Sequence, residues 1–326
     1  MPTSRKTTRS HVPRILGIGG AHIDRRGRLA GLFVPGASNP GRMREEVGGV
    51  VFNALRCASQ CGAAASLISL RGGDPAGERI AAAIEAAGVD DHSAVFLDRG
   101  SPSYTALIDR DGELIAGFAD MDLYDLFPRQ LRRTACRATI AEADAILCDA
   151  NLPEAALELV VAHAGNIPVH AIGISPAKVV RLARLLDRID VLFLNRREAA
   201  ALTGLSADAD SGELARKLRA QGLRRGVMTG GGSDLVAFDA DDAFSIAPPR
   251  PSSIVDVTGA GDAIAGVAVA SLAQGASLVE AVRAGMAAAR LAIETEASVP
   301  RLDAKILASA LSGVPAAKPA HWEMTI

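Results

Sequence analysis

A chain of 326 residues, 49% hydrophobic and 22% charged, has the length for one large α/β domain or two small ones and the composition of an ordinary globular protein. Its formal net charge of -2 argues against nucleic acid as a partner and makes any phosphate binding local. The four cysteines, Cys57, Cys61, Cys136 and Cys148, show neither a Cys-x-x-Cys pair nor a secreted disulfide spacing, which fits a reducing cytoplasm.

The first fourteen residues carry Arg5, Lys6, Arg9 and Arg14 among Ser and Thr, without an acid, and read as a frayed basic tail. Ile15 to Ile18 reads as a first buried strand, and Gly19-Gly20 turns the chain so that His22 and Asp24 fall at its C-terminal end. Gly17-Ile18-Gly19-Gly20 lacks the third glycine and the following helix of a dinucleotide fingerprint. From Arg25 to Arg44 there is no clean period, and Ser38-Asn39-Pro40-Gly41 predicts a loop or short strands.

Gly48-Gly49 opens an apolar helical run from Val50 to Gln60, with Asn53 one turn in and Gly62 closing it. Glycine capping with a solvated Asn and an Asn aimed into a cleft are both open on spacing alone. Ala65 to Leu70 reads as a strand, and Gly72-Gly73-Asp74-Pro75-Ala76-Gly77 as a loop leading to a helix from Glu78 to Ala87. Between Ser103 and Asp120 two alternating segments flank Asp111-Gly112, a turn pair that favours a β-hairpin.

From Leu131 onward strand candidates (Ala145 to Cys148, Val169 to Ile174, Val191 to Leu194, Gly226 to Thr229) alternate with helices, which implies crossover units and a mainly parallel sheet. Ligands on such sheets lie beyond the strand C-termini, where Asp149, Asn151, Asn195, Thr229 and Gly230 fall. Asn195-Arg196-Arg197-Glu198 starts a helix, so Asn195 and Glu198 share one face, either as a capping box or as a ligand pair. The longest uncharged run, Ala263 to Ser277, is too short to span a bilayer.

The chain is organised around Asp256-Val257-Thr258-Gly259-Ala260-Gly261-Asp262. Two glycines permit a tight turn, and the small-residue run behind them reads as a buried helix whose unpaired N–H groups would face a cleft as an anion site. Asp262, in the first helical turn, could take a proton from an incoming hydroxyl. An ordinary glycine-rich turn capped by Asp satisfies the same spacing.

This string resembles the C-terminal signature of the PfkB, or ribokinase-like, family of carbohydrate and nucleoside kinases, Asp-x-Thr-Gly-Ala-Gly-Asp. The Gly48-Gly49, Asn53 and Gly-x-Asp-x-x-Gly segments match the family's N-terminal signature, Asn195 with Glu198 its Asn-x-x-Glu motif, and Thr229 to Asp234 its glycine-rich loop. The resemblance covers residues 15 to 300. It implies a ribokinase-like α/β fold with a mainly parallel central sheet and a small β-sheet lid, as a single kinase domain from 15 to 310, lid segments near 25–47 and 98–122, and a tail from 311 to 326.

The resemblance also implies Asp262 as general base, with Gly259, Ala260 and Gly261 as the anion hole, and Asp24, Gly49 and Asn53 on substrate hydroxyls. It puts Asn195, Glu198, Thr229, Gly230, Gly232 and Thr258 near ATP and its phosphates, Glu198 near Mg2+ through water, and Asp256 on a monovalent cation such as K+. A homodimer through the lid is a further implication. Ser38-Asn39-Pro40-Gly41, Cys148-Asp149-Ala150-Asn151-Leu152 and Ala119-Asp120-Met121-Asp122 look like the branch of the family that phosphorylates pseudouridine on its 5′-hydroxyl, which puts Asn39, Asp149 and Asn151 on the nucleoside. Another sugar or nucleoside specificity, such as ribose, adenosine or inosine, would share every catalytic motif, whereas a catalytically silent ligand-binding relative would be expected to lack Asp262 or the Asn195 and Glu198 pair, both present here. Phe52 departs from that branch's Arg, Ile172-Gly173 from an Asp-Pro, and His22 from a common Asn; Phe52 either stacks on the base or fills the Arg's space.

Overall fold

Ile15 faces one side of the strand Arg14–Ile18 while Leu16 and Ile18 face the other, so this apolar strand has to be covered on both faces. In the computed structural model, which describes residues 11–320, it lies inside a ten-stranded sheet. The order across that sheet is Lys318–Pro319, Ala243–Ile246, Ser233–Phe238, Gly226–Gly230, Val191–Asn195, Val169–Ile172, Ala145–Asp149, Arg14–Ile18, Ala64–Ile68 and Asp90–Asp91. Pairing is parallel from Gly226–Gly230 to Asp90–Asp91 and antiparallel in the remaining edge strands.

Arg14–Ile18 pairs with Ala145–Asp149 on one side and Ala64–Ile68 on the other, so the sequence order of the strands reverses between the first two. A crevice opens at such a switch point beyond the strand C-termini. Gly19 and Asp149 border it, close enough that a side-chain carbon at position 19 would stand 3.1 Å from Asp149 Oδ2.

One face of the sheet is covered by a layer that includes Val50–Gln60, Ala260–Ala273 and Leu278–Ile293, and the other by one that includes Glu154–Ala164 and Arg196–Thr203. Ala260–Ala273 is buried from Ala263 to Ala270 and so packs as an interior helix. Its Ala- and Gly-rich sequence lets neighbouring helices come close; a side chain at Gly266 would meet the Ala54 carbonyl oxygen at 2.1 Å.

Residues 22 to 48 form two eight-residue strands, His22–Leu29 and Gly41–Gly48, where a loop or short strands were expected. Ile23, Gly27 and Leu29 alternate with Asp24, Arg26 and Arg28, but Arg25 and the facing Glu45 break the apolar face; backbone pairing from His22↔Gly48 to Leu29↔Gly41 holds the strands. The hairpin around Asp111-Gly112 is present as Ser103–Ile108 and Leu114–Asp120. Parallel pairing of Ile23 with Ser103 and onward joins both hairpins into a separate four-stranded sheet.

The segment expected as a tail beyond 310 is structured up to residue 320. The helix Ala304–Ser312 runs past that boundary, Val314 is buried, and Lys318–Pro319 pairs with Ala243–Ile246. Residues 1–10 of the expected N-terminal tail, and 321–326, lie outside the described residues. Among the described residues no helix is long and apolar enough to cross a membrane.

Candidate active site

The loop 256–259 enters the helix Ala260–Ala273 through Gly259 in the left-handed region, φ 80°. A side chain there would be strained and would meet the Ser298 carbonyl oxygen at 2.3 Å. No side chain caps this helix; the Ala260 amide turns back to the Val257 carbonyl at 3.5 Å, so the open first-turn amides, without intrahelical partners, are those of Gly261 and Asp262 rather than the expected Gly259 to Gly261, and they present the positive end of the helix. Asp256 organises the approach, its Oδ1 accepting from the Thr258 amide at 2.9 Å.

Asp262 sits in that first turn, and its Oδ2 accepts a hydrogen bond from Asn53 Nδ2 at 3.0 Å. Burial pushes its carboxyl up to about 7, reinforced by the like charges of Asp149 and Asp24 and opposed by Asn53 and His22. A carboxyl poised there is half ionised near neutral pH and can accept a proton.

Asn53 reaches the site because Gly49, at φ 121°, turns the chain into the helix Val50–Gln60; a side chain at 49 would lie 2.2 Å from the Gly20 carbonyl oxygen. With its Nδ2 committed to Asp262, the buried Asn53 Oδ1 has no partner among the described residues. Asp149, fully buried, accepts from the Asn151 amide at 2.8 Å through Oδ1, while its Oδ2 is likewise without a partner. Burial pushes Asp149 up to about 6, against the Asn151 amide and the charges of His22 and Lys178. Two buried acceptors left unsatisfied beside a crevice mark where a ligand's donors would sit, since such atoms are rare and costly otherwise.

His22 joins Tyr124 to Asp24. Its Nδ1 lies 3.2 Å from the Tyr124 hydroxyl and its Nε2 3.2 Å from Asp24 Oδ1, fixing the orientation of the carboxylate at the base of the small sheet. Asn151 is held by Lys178, whose Nζ donates to Asn151 Oδ1 at 2.6 Å, and its side chain also favours the ionised form of Asp149. Arg181 Nη1 donates to the carbonyls of Ala150, Asn151 and Leu152 at 3.0 to 3.2 Å, and so ties down the same strand end.

On the other side of Asp262 a cavity of about 180 Å³ is lined by Asn195, Glu198, Thr229, Gly261 and apolar residues including Val50 and Ile264. Asn195 and Glu198 form the capping box. Glu198 Oε2 accepts from the Asn195 amide at 2.9 Å, Oε1 from Asn195 Nδ2 at 2.7 Å, and the Glu198 amide donates to Asn195 Oδ1 at 2.9 Å. The pair is therefore a cap and a cavity wall at once. Burial raises the Glu198 carboxyl above the ordinary range, outweighing its bonds from Asn195. Gly173 makes room for it, because a side chain at 173 would lie 2.5 Å from Glu198 Oε2. Gly230 and Gly232 continue from Thr229 into the turn before Ser233–Phe238, and Thr258 is exposed; none of the three lines this cavity.

Two expectations, for Asn39 and Asp256, meet a different arrangement, and of the two alternatives for Phe52 the structure shows the space-filling one. Asn39 sits at the far tip of the hairpin, roughly 25 Å of extended chain from the His22 end. There its side chain bonds only Val34 and Ala37, capping the turn, so the structure does not bring it to the site. Phe52 is fully buried with Arg56 over its ring at 5.5 Å, so it fills core space and cannot stack on a base. The carboxylate of Asp256, expected on a monovalent cation, is ion-paired to Arg26 of the small sheet. Sequence reasoning missed Arg26, Tyr124 and Lys178. The signal available for Lys178 was its position just past the strand Val169–Ile172.

Among the described residues no cluster of three or more His, Cys, Asp or Glu could cage a metal. Asn195 and Glu198 retain free lone pairs and suit a hydrated ion held through water.

Residues 13–304 match the family described as pfkB family carbohydrate kinase. The chain is 29% identical to a pseudouridine kinase of Escherichia coli (strain K12), spanning 86% of this chain and 90% of that protein. A carbohydrate kinase from Agrobacterium tumefaciens is 44% identical, superposes with a TM-score of 0.84, and is matched over 95% of this chain and 100% of that one. The structure of Arabidopsis thaliana ribokinase complexed with ribose and ATP superposes with a TM-score of 0.82 at 20% identity, over 92% of this chain and 99% of that one, and shares the fold. The expected architecture, a large mostly parallel sheet between helices with a separate small sheet, is therefore ribokinase-like. The chain belongs to the pfkB family of carbohydrate kinases.

Proposed function

We propose that this ribokinase-like sugar or nucleoside kinase transfers the γ-phosphoryl group of ATP to the 5′-hydroxyl of pseudouridine, giving pseudouridine 5′-phosphate and ADP. The observation that carries the reaction is Asp262, bonded by Asn53 at 3.0 Å and seated in the first turn of an uncapped helix between the two buried acceptors and the 180 Å³ cavity. The substrate's 5′-hydroxyl would lie against Asp262. As its oxygen bonds to the γ-phosphorus and the bond from phosphorus to the β,γ-bridging oxygen breaks, the proton passes to the Asp262 carboxylate. The amides of Gly261 and Asp262 face the transferring group and stabilise its charge.

Magnesium would enter on the nucleotide and neutralise phosphate charge when bound. Asn195 and Glu198 would hold its water, with Thr229 on the same wall. Asp24, fixed by His22, and Asn53 Oδ1 are the acceptors for ribose hydroxyls.

Support for the nucleoside comes from the Escherichia coli relative and from the strand end at Asp149. Pseudouridine presents an extra ring N–H where uridine has its glycosidic nitrogen, and Asp149 Oδ2 is a buried acceptor lacking a donor. A site built to bond such a group can reject the analogue without it by up to about 10⁴–10⁵-fold. Met43, Leu114 and Phe118, exposed on the small sheet, suit a homodimer through that sheet, which would act as the lid; the four free thiols suit the cytoplasm.

The test is kcat/KM for pseudouridine, uridine, ribose and adenosine with ATP. Pseudouridine should lead by at least about tenfold. Equal values for the two uracil nucleosides, or a preference for ribose, would remove the nucleoside assignment and leave the kinase class standing.

A further inference from the structure

Arg26 and Arg44 stand directly opposite each other on the paired strands His22–Leu29 and Gly41–Gly48. Like charges so placed destabilise a sheet unless each finds a counter-charge. Both find one outside their own sheet. Arg26 Nη1 pairs with Asp256 Oδ2 in the loop that leads into the anion cradle, with Glu46 at 3.7 Å from its other arm. Arg44 pairs with Glu296 at 3.0 Å.

Those two carboxylates belong to loops that are themselves bonded together. Val255 donates its amide to the Ile293 carbonyl at 2.8 Å, Ser252 to Glu294 Oε1 at 2.7 Å, and Ser298 presses its carbonyl against Gly259. The small sheet thus sets its arginine pair onto the joined loops that shape the cradle. Of the two contacts, Arg44–Glu296 is exposed on both sides and contributes little, whereas Arg26 and Asp256 are 20% and 32% exposed and so less screened.

A monovalent cation at Asp256 does not fit this arrangement. One carboxylate oxygen is taken by the Thr258 amide and the other by a guanidinium. A second positive charge would have to displace Arg26, leaving that arginine opposite Arg44 with only Glu46 near.

We propose that Arg26 is the resident counter-charge of Asp256 in place of a monovalent cation, and that it is a positioning residue which couples docking of the small sheet to the shape of the anion cradle. Catalysis then needs no potassium, and the cradle is set when the small sheet is in place. This rests on the kinase class and not on the nucleoside.

The primary test reads stability, so it holds whichever acceptor is phosphorylated. Thermal unfolding of the full chain is followed in potassium chloride and in tetramethylammonium chloride at equal ionic strength, for wild type, Arg26→Gln and Arg26→Lys. Wild type and Arg26→Lys should unfold at the same temperature in both salts. Arg26→Gln, with Asp256 freed, should be stabilised selectively by potassium, by roughly 4 °C or more at saturating salt. Potassium-specific stabilisation of the wild type would overturn the proposal, as would an Arg26→Gln variant indifferent to the cation.

Where Arg26→Gln does not fold, the wild-type comparison and Asp256→Asn decide. Asp256→Asn should lose stability equally in both salts, and a loss seen only in potassium would overturn the proposal. As a second readout, the wild-type rate of phosphorylation should stay within about twofold between the salts, while Arg26→Gln loses roughly tenfold in kcat and regains part of it in potassium. A wild-type rate that collapses in tetramethylammonium contradicts the assignment. Lack of any turnover of pseudouridine bears on the nucleoside instead and leaves the unfolding result intact.

Discussion

Asn53 donates its amide N–H to Asp262 at 3.0 Å across 209 residues of sequence, joining the N-terminal and C-terminal glycine motifs in one hydrogen bond. The bond stabilises the ionised carboxylate, and the buried surroundings oppose it. Asp262 is held where the two balance.

The first prediction follows from that balance. Asp262 must be ionised to take a proton, and its carboxyl is pushed up to about 7 by burial and by Asp149 and Asp24. kcat/KM should therefore rise about tenfold per pH unit below that value and level off above it. A rate flat from pH 5 to 8 would remove Asp262 as the base.

Asn53→Leu removes the donor that favours the ionised form. The acid limb should move to higher pH, and kcat/KM at pH 7 should fall by about 10–100-fold through the lost bond and the lost buried acceptor. An unshifted limb with only a raised KM would confine Asn53 to substrate binding.

Glu198→Gln keeps a residue compatible with the capping box, so the helix Arg196–Thr203 should lose little stability, about 1 kcal/mol or less. On the proposed role of Glu198 the charge that would order metal-bound water is gone, and half-saturation by magnesium should rise about tenfold or more. A magnesium titration that overlays the wild type would leave Glu198 as a cap alone.

Lys178→Met frees the Asn151 amide to rotate and withdraws a positive charge from Asp149. With the proposed nucleoside as substrate, KM should rise roughly tenfold while kcat changes by less than about threefold, because the reacting atoms are untouched. Equal losses in kcat and kcat/KM would place Lys178 in the chemistry instead.

What was legible in the sequence was local. Asp256 to Asp262 announces a tight turn and a buried helix because two glycines and a small-residue run admit little else, and Asp111-Gly112 announces a hairpin through its turn chemistry. Strand ends placed Asp149 and Asn195 at the crevice because parallel sheets gather their C-termini there. The strands at 22–48 were legible only in part: the resemblance put a lid segment near 25–47, but Arg25 and Glu45 interrupt the apolar face, and the pairing of Ile23 with Ser103 leaves no local pattern. Contacts such as Arg26 with Asp256, 230 residues apart, leave no local pattern. Asn39 misled for the opposite reason, since its turn-capping side chain carries the same Asn-Pro-Gly signature whether it touches a ligand or only its own loop.

The most direct measurement is phosphoryl transfer by Asp262→Asn. The amide keeps the shape and can still accept from Asn53 but cannot take the proton, so turnover should fall by about 10²–10⁴-fold or more with substrate affinity retained. Stability supplies the control. A carboxyl raised from 3.8 to about 7 is stabilised while protonated, and that contribution is lost as pH rises through the folded value. The variant should therefore unfold at pH 8 no lower than the wild type, with the difference closing towards pH 4. A well-folded Asp262→Asn protein that phosphorylates its substrate at a near wild-type rate would contradict the account.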